Sequence, residues 1–414
     1  MTYEESVEFI DSFTKSGKPV TDLSRFLELC EKLGDPQKKL KFLHVAGTNG
    51  KGSVSEYLAV ALEKAGYRTG KFTSPFIVDL RERIQLNGEN IPCEDFARCC
   101  EPVKAAAGGC GDYSQFEIFT AIAFEYFLQA AADYVVLETG IGGLNDCTNI
   151  VSPVLSVITR IDYDHCAVLG SKIPEIAAHK AGIIKSGAPV FVTPFQRPET
   201  LDVLKKTAEE KGSGYIETDG ERLKITKNSV FGTEFIYKGH FFATKMGGAH
   251  QPENAAAAIE ALRFLNVPEQ TIRSALSEAG IPARMQVYRK DPLIIVDGGH
   301  NESGTAAAAA LLKTENIRPV MVLGMLTTKE WRGSLENLLG QAAAVFFADD
   351  YYSAAVSADT LCAFARELGV CAHAAASLEE AITSALSLKS GSGVFIGGSL
   401  YLAGAALKLL KRNE

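Results

Sequence analysis

No Cys-x-x-Cys pair occurs among the nine cysteines (Cys30, Cys93, Cys99, Cys100, Cys110, Cys147, Cys166, Cys362 and Cys371), and their number is odd. A structural zinc site and a disulfide framework are both disfavoured. Positive charge is not in excess either: 42 basic residues face 50 acidic ones, a formal −8. The chain as a whole therefore does not attract nucleic acid or an anionic membrane, and an anionic substrate must be drawn by local charges. The N-terminal MTYEESVEFIDSF lacks the basic start and apolar run of a signal peptide. The most apolar stretch, GVFIGGSLYLAGAALKLL at 393–410, is broken by glycines and a lysine. It reads as a strand, a turn and a helix, too interrupted to span a membrane. Repeats and low-complexity tracts are also lacking. These absences lead to the expectation of a cytoplasmic protein that binds neither nucleic acid nor membrane.

What is present is apolar residues at 46% over 414 residues, enough for two domains with a core each. Leu23, Phe26, Leu27, Cys30 and Leu33 recur at helical spacing before Gly34 and Pro36. KFLHVA (41–46) reads as a buried strand, and Val54, Tyr57, Leu58, Ala61, Leu62 and Ala65 mark the core face of a helix closed by Gly66. DYVVLETGIGG (133–143), PVLSVITRIDYDH (153–165) and APVFVTP (188–194) each carry an apolar strand, which predicts a parallel sheet flanked by helices. Residues 212–245 alternate apolar and polar around glycines, as a small antiparallel insertion would. HQPENAAAAIEALRFL (250–265) returns to helix, with Pro252 near its first turn. A second series at 292–304, 319–325, 343–350 and 393–399 predicts a smaller Rossmann-like α/β domain. The boundary falls in the exposed-looking GIPARMQVYRKDP, giving domains 1–285 and 286–414.

The segment HVAGTNGKGS (44–53) has the glycines, lysine and hydroxyl of a phosphate-binding loop but fails the pattern G-x-x-x-x-G-K-[ST]. Val45 stands where the first glycine belongs, and Gly52 separates Lys51 from Ser53. The chemistry is still provided for: Gly47, Gly50 and Gly52 let backbone N–H groups close on oxyanions, Lys51 supplies a cation, and Ser53 supplies a hydroxyl. Glu138, where the YVVLE strand ends, is placed to hold magnesium, although an acid there can equally cap a helix or face water. Ser74 and His165 gain meaning only if they meet Glu138. Lys180 has apolar neighbours (Ile176, Ala177, Ala181, Ile184); it either snorkels to the surface or, if buried with a lowered pKa, is chemically available. VDGGHN (296–301) is a second glycine turn after a strand, presenting Asp297 and His300 to a ribose or phosphate, or it is only a tight turn.

Taken in order from Leu33 to Asn301, LGDPQKKLKFLHVAGTNGKGS, FTSPFIVDLRERIQLNG, LETGIGG, IDYDHCAVLG, HKAGIIKSG, HQPENAAAAIEAL and DGGHN resemble the folylpolyglutamate synthase/dihydrofolate synthase family of the Mur ligases. GTNGKGS is that family's own variant of the phosphate loop. The resemblance implies a P-loop ATPase domain followed by a smaller α/β domain, with the nucleotide between them. It implies that Gly47, Thr48, Asn49, Gly50, Lys51, Gly52 and Ser53 cradle the ATP phosphates, and that Ser74, Glu138 and His165 bind Mg2+. Lys180 matches a lysine that the family carries as a carbamate, and Asn254, Arg284, Asp297 and His300 match nucleotide contacts. Lys51, Glu138, His165 and Lys180 are then the catalytic set, and Asn145, Asp146 and Cys147 lie on the substrate side. The implied activity is ATP-dependent addition of L-glutamate to a folate carboxylate through an acyl phosphate, by a monomer.

The family's pattern is not matched everywhere. Leu144 stands where arginine is usual and Cys147 where a small residue is usual; Glu302 replaces a proline, and TTKEW replaces the D-K-D around Lys329. These changes bear on the acceptor more than on ATP. A peptidoglycan-type Mur ligase carries a further domain ahead of the loop, on the order of a hundred residues. Only 46 residues precede Gly47, which disfavours that alternative. A nucleotide-binding relative without catalysis is disfavoured because the loop, metal and lysine positions are all filled.

Overall fold

The apolar runs that end in polar residues are strands of one sheet in the computed structural model, which describes residues 1–14, 22–108, 113–388 and 391–412. Cys110 lies outside the described residues. The strands are β1 (Phe42–Ala46), β2 (Thr69–Phe72), β3 (Ile84–Leu86), β4 (Glu89–Asn90), β5 (Tyr134–Glu138), β6 (Pro153–Ile158), β7 (Val190–Val192) and β8 (Tyr215–Glu217). Their order is β4-β3-β2-β5-β1-β6-β7-β8. From β2 to β8 the pairing is parallel, while β3 and β4 form an antiparallel edge that the sequence pattern does not announce. β1 lies at the centre with all five residues buried, as befits a parallel strand covered on both faces, and four of the five are apolar, His44 being the exception.

Two helices missed in the sequence cover one face: Cys93–Ala107 and Gln115–Gln129. The second is apolar around most of its circumference, so its moment is weak and its periodicity invisible; such a helix is buried on all sides. Its Phe124 meets Phe42 of β1 and Phe26 edge-on or tilted. Truncating a phenylalanine buried like this costs about 3–5 kcal/mol. Near the N-terminus Leu29, not Leu27, joins this core; Leu27 is exposed because it falls on the outer face of the helix Ser24–Lys32.

The antiparallel part is shorter than residues 212–245. Tyr215–Glu217 is β8, a parallel edge strand, and β9 (Leu223–Ser229), β10 (Gly232–Tyr237) and β11 (His240–Thr244) form a separate three-stranded sheet. The last sheet has the order β12-β13-β17-β14-β15-β16, from β12 (Gln286–Lys290), β13 (Leu293–Asp297), β14 (Val320–Leu323), β15 (Ala344–Phe347), β16 (Ala372–Ala374) and β17 (Val394–Gly397). It is parallel except for β12. The segment read as an exposed boundary therefore contains an antiparallel edge strand. The stretch 393–410 is strand β17 followed by the helix Leu400–Arg412, and no helix among the described residues is long and apolar enough to cross a membrane.

The chain forms two compact units. One comprises residues 1–76, 80–223 and 253–278, and the other residues 77–79, 224–252 and 279–414.

Candidate active site

The departure at Val45 has a structural reason. β1 continues through Val45 and Ala46, which pair with Val157 and Ile158, so the turn begins only at Gly47. At Gly47 a side chain is impossible: a Cβ would lie 1.8 Å from Thr159 Oγ1. At Gly50, φ is +92° and a Cβ would lie 2.3 Å from the Asn254 side-chain oxygen. The carbonyl of Arg160 accepts from Thr48 N (2.9 Å) and Asn49 N (3.3 Å), and Thr48 Oγ1 exchanges bonds with the backbone of Asp162 at 3.0 Å. The loop is thus fixed from the adjacent strand end, before any ligand arrives. The helix Lys51–Lys64 then starts, and the N–H groups of its first turn, Lys51, Gly52 and Ser53, lie at the positive end of the helix dipole.

Three charged side chains converge there. Lys51 Nζ donates to the carbonyls of Gly47 (3.2 Å) and Thr48 (3.3 Å) and lies 3.9 Å from Glu138 Oε1. Glu138, at the end of β5, is buried, and Ser74 N approaches its Oε2 at 3.4 Å. Lys180, in the helix Ile173–Ala181, is only 3% exposed and donates to Gly47 O at 2.7 Å. Burial first, and then the charge of Lys51, pushes its pKa down to about 7. The snorkelling alternative is excluded by this burial, and a sizeable fraction of the amine is neutral near pH 7. Ser74 and Glu138 are thus brought together. His165 stands at the N-cap of a one-turn helix with φ +49°, half-exposed, its Nε2 3.7 Å from Asp164 Oδ2.

The segment 140–148 is held from within. The Asp146 carboxylate accepts from Gly140 N and Ile141 N (both 2.9 Å), Thr148 N (3.0 Å) and Thr148 Oγ1 (2.6 Å). Burial raises its pKa, while these bonds oppose the rise. Cys147 is buried with its Sγ 3.3 Å from Thr120 Oγ1. Leu144 is exposed and Asn145 half-buried, so these two offer side-chain surface.

In the second unit, Asp297 at the end of β13 accepts from Met285 N and Gly299 N, both at 2.8 Å, using one oxygen for each. Burial raises its pKa and the nearby Arg284 guanidinium opposes this. Burial, then Arg284, lowers the pKa of His250 to about 4. Ala283 and Met285, flanking Arg284, both have positive φ (+53° and +44°), backbone strain of the kind that clusters at ligand sites. His300 Nδ1 lies 3.0 Å from Gly298 O, and Asn301 caps the following helix through Gly304 N. Asn254 belongs to the first unit, on the helix His250–Phe264.

Sequence reasoning missed His44 and Thr159. His44 is fully buried on β1 and meets Thr148 Oγ1 at 2.9 Å. A polar residue inside the apolar run KFLHVA was the available signal, because a buried polar group needs a partner.

Two family models match this chain. The Mur ligase middle domain matches residues 45–262, and the Mur ligase glutamate ligase domain matches residues 283–400. A dihydrofolate synthase/folylpolyglutamate synthase of Bacillus subtilis is 36% identical over 379 residues, covering 86% of this chain and 87% of the relative. A folylpolyglutamate synthase of Lacticaseibacillus casei is 32% identical over 436 residues, covering 99% of each. Among solved structures, Escherichia coli FolC in complex with DHPP and ADP superposes with a TM-score of 0.88 at 27% identity, covering 100% of this chain and 98% of that one. From the variant phosphate loop to the two matched domains, the chain belongs to the folylpolyglutamate synthase/dihydrofolate synthase family of the Mur ligase superfamily.

Proposed function

We propose that this protein is an ATP-dependent ligase that joins the amine of L-glutamate to a folate carboxylate, taking tetrahydrofolate and its short polyglutamates and also dihydropteroate. The observation that carries the reading is the convergence of Lys51, Lys180 and Glu138 on a glycine loop at the end of β1. In this reading residues 1–285 act as the ATP-binding domain and residues 286–414 as the glutamate-ligase domain. The two family matches, 45–262 and 283–400, change over close to that boundary, while residues 224–252 belong to the second compact unit.

The acceptor carboxylate attacks the γ-phosphorus of ATP, the bond to ADP breaks, and an acyl phosphate forms. The neutral amine of glutamate then attacks the acyl carbon, phosphate leaves, and the amine proton is lost. Lys51 and the first-turn N–H groups offset the charge on the phosphates. Asn254, Arg284, Asp297 and His300 hold the nucleoside and phosphates. Asp297 has a second lone pair on each oxygen for ribose hydroxyls, since its two backbone bonds use only one each. Asn145, with the segment anchored by Asp146 and Cys147, faces the folate.

The residues fit Mg2+: Glu138 is a buried carboxylate beside Ser74, and their side-chain oxygens are donors that suit a hard cation. Ser74, Glu138 and His165 would hold it, and it would supply Lewis-acid charge at the phosphates. Lys180 fits a carbamate, because its buried amine is partly neutral near pH 7 and can add carbon dioxide with loss of a proton.

The test supplies purified protein, ATP, Mg2+ and labelled glutamate with tetrahydrofolate, or with a cell-wall nucleotide precursor. Glutamate should enter tetrahydrofolate in an ATP-dependent way and the Lys51→Ala variant should be inactive. Incorporation only into the cell-wall precursor, or into neither, overturns the reading.

A further inference from the structure

A buried polar chain links the central strand to the segment 140–148. His44 Nε2 lies 2.9 Å from Thr148 Oγ1, and that hydroxyl lies 2.6 Å from Asp146 Oδ1. Asp146 cannot donate as a carboxylate, so the Thr148 proton points to it and the hydroxyl oxygen accepts from His44. Nε2 therefore carries a proton, and the ring is neutral with Nδ1 bare. Full burial supports this, holding its pKa down at about 3 with help from the charge of Lys185. His44 Nδ1 is buried without a partner among the described residues. An apolar side chain would fill the place at lower cost, so the ring is kept for what Nε2 does.

What it does is transmitted outward. Asp146 binds Gly140 N and Ile141 N. A second strut runs beside it: Lys185 Nζ donates to Asn149 O (3.0 Å), Asn149 Nδ2 donates to Leu144 O (3.0 Å), and Leu144 N donates to His179 O (2.6 Å). Gly140 and Ile141 are thereby tied through Asp146 and Thr148 to the strand that ends in the phosphate loop, and Leu144 is tied to the helix Ile173–Ala181. We propose that His44 is a positioning residue for the acceptor, setting through Thr148 and Asp146 where the folate carboxylate lies beside the phosphate loop. This rests on the reading that Leu144 and Asn145 face the folate.

The test measures KM for tetrahydrofolate and for ATP in His44→Leu, His44→Gln, Thr148→Val and the double variant His44→Leu/Thr148→Val, with AMPPCP binding as a check on the loop. His44→Leu and Thr148→Val should each raise the acceptor KM about tenfold, as expected for one lost buried hydrogen bond, with ATP KM and AMPPCP affinity unchanged. The double variant should be no worse than either single one. His44→Gln, whose amide nitrogen can reach the hydroxyl, should restore most of the affinity. Across neutral pH the effect should be flat, because the ring does not titrate there. Thr148→Val keeps the side-chain volume, so it carries the comparison if His44→Leu does not fold.

Equal shifts in both KM values, no shift in either, or identical behaviour of Gln and Leu overturn the proposal. Asn145→Ala and Leu144→Ala run in parallel separate the two readings. If they raise the acceptor KM and the His44 variants do not, the relay fails alone. If they leave it unchanged, the folate-facing assignment fails, and the relay with it.

Discussion

Lys180 Nζ donates a 2.7 Å hydrogen bond to the carbonyl oxygen of Gly47, and Lys51 Nζ reaches the same oxygen at 3.2 Å. Two lysines thus share one acceptor, and the buried one gives way, its pKa falling to about 7. In the unfolded chain the same lysine keeps its proton up to its ordinary 10.5. Between those two values the unfolded state binds more protons, so stability rises with pH through that window. Below about pH 7 both states are protonated and the penalty is fully present. Buried thiols such as Cys30 and Cys147, whose pKa burial raises, lower stability over the same range in both proteins, so the rise, on the order of a few kcal/mol, should appear in the difference between wild type and Lys180→Met, measured by denaturant titration in buffer free of carbon dioxide. Parallel curves for the two proteins would mean that Lys180 stays charged in the fold.

The same lysine tests the carbamate. Lys180→Ala should lose most ligase activity, and short-chain carboxylic acids should restore part of it by placing a carboxylate in the emptied space. Full activity without added acid would count against a role for an anion there.

Gly50 and Gly66 have nearly the same φ, +92° and +91°, but a Cβ at Gly50 would lie 2.3 Å from Asn254 and one at Gly66 would meet nothing within 4 Å. Replacing either by alanine costs about 1–2 kcal/mol from the left-handed conformation. Only Gly50→Ala should also displace Asn254 and lower AMPPCP affinity, by about tenfold or more, as loss of one good polar contact would. Calorimetric titration of both variants decides. Equal affinities would show that the approach of Asn254 to the loop does not matter for the nucleotide.

Much of this was legible in the sequence where one residue type answers one local demand. The strands β1, β5, β6 and β7 announced themselves as apolar runs, while the short β2, with Thr69, Gly70 and Lys71, did not; Gly47, Gly50 and Lys51 stood out as a glycine turn with a lysine, even with Val45 breaking the general pattern. The helix Gln115–Gln129 was hidden because burial on all sides erases helical periodicity, and β12 because an edge strand with exposed Arg289 and Lys290 resembles a polar linker. For Lys180 the sequence left two outcomes open, since only the tertiary packing determines whether its stem ends in water or against Gly47. Asp146 and Cys147 carried no sign that their side chains are spent on holding their own segment.

Glu138→Gln keeps the shape of a buried side chain but removes the charge that faces Lys51 at 3.9 Å and fits Mg2+. The magnesium concentration for half-maximal activity should rise about tenfold or more, the scale seen when the surroundings of a metal ligand are altered. His165→Ala should move it in the same direction. Titration curves that overlay the wild type for both variants would place the metal elsewhere.

On the proposed reading, the choice of acceptor turns on Leu144. Tetrahydrofolate and its polyglutamates end in a flexible glutamate whose γ-carboxylate can reach the phosphates while the ring is held loosely. Dihydropteroate is shorter, so its carboxylate arrives only if the ring is gripped. Leu144 is 49% exposed on a segment that Asp146 holds rigid, and it offers no N–H donor where an arginine would offer five. The wild type should therefore extend tetrahydrofolate with a higher kcat/KM than it uses dihydropteroate. Leu144→Arg should narrow that difference by about tenfold, the value of one added charge-assisted hydrogen bond. Because Leu144 N is already bonded to His179 O, the substitution changes the side chain without releasing the backbone. Labelled-glutamate kinetics with the two acceptors measure the ratio directly. An unchanged ratio in Leu144→Arg would mean that position 144 does not read the pterin end.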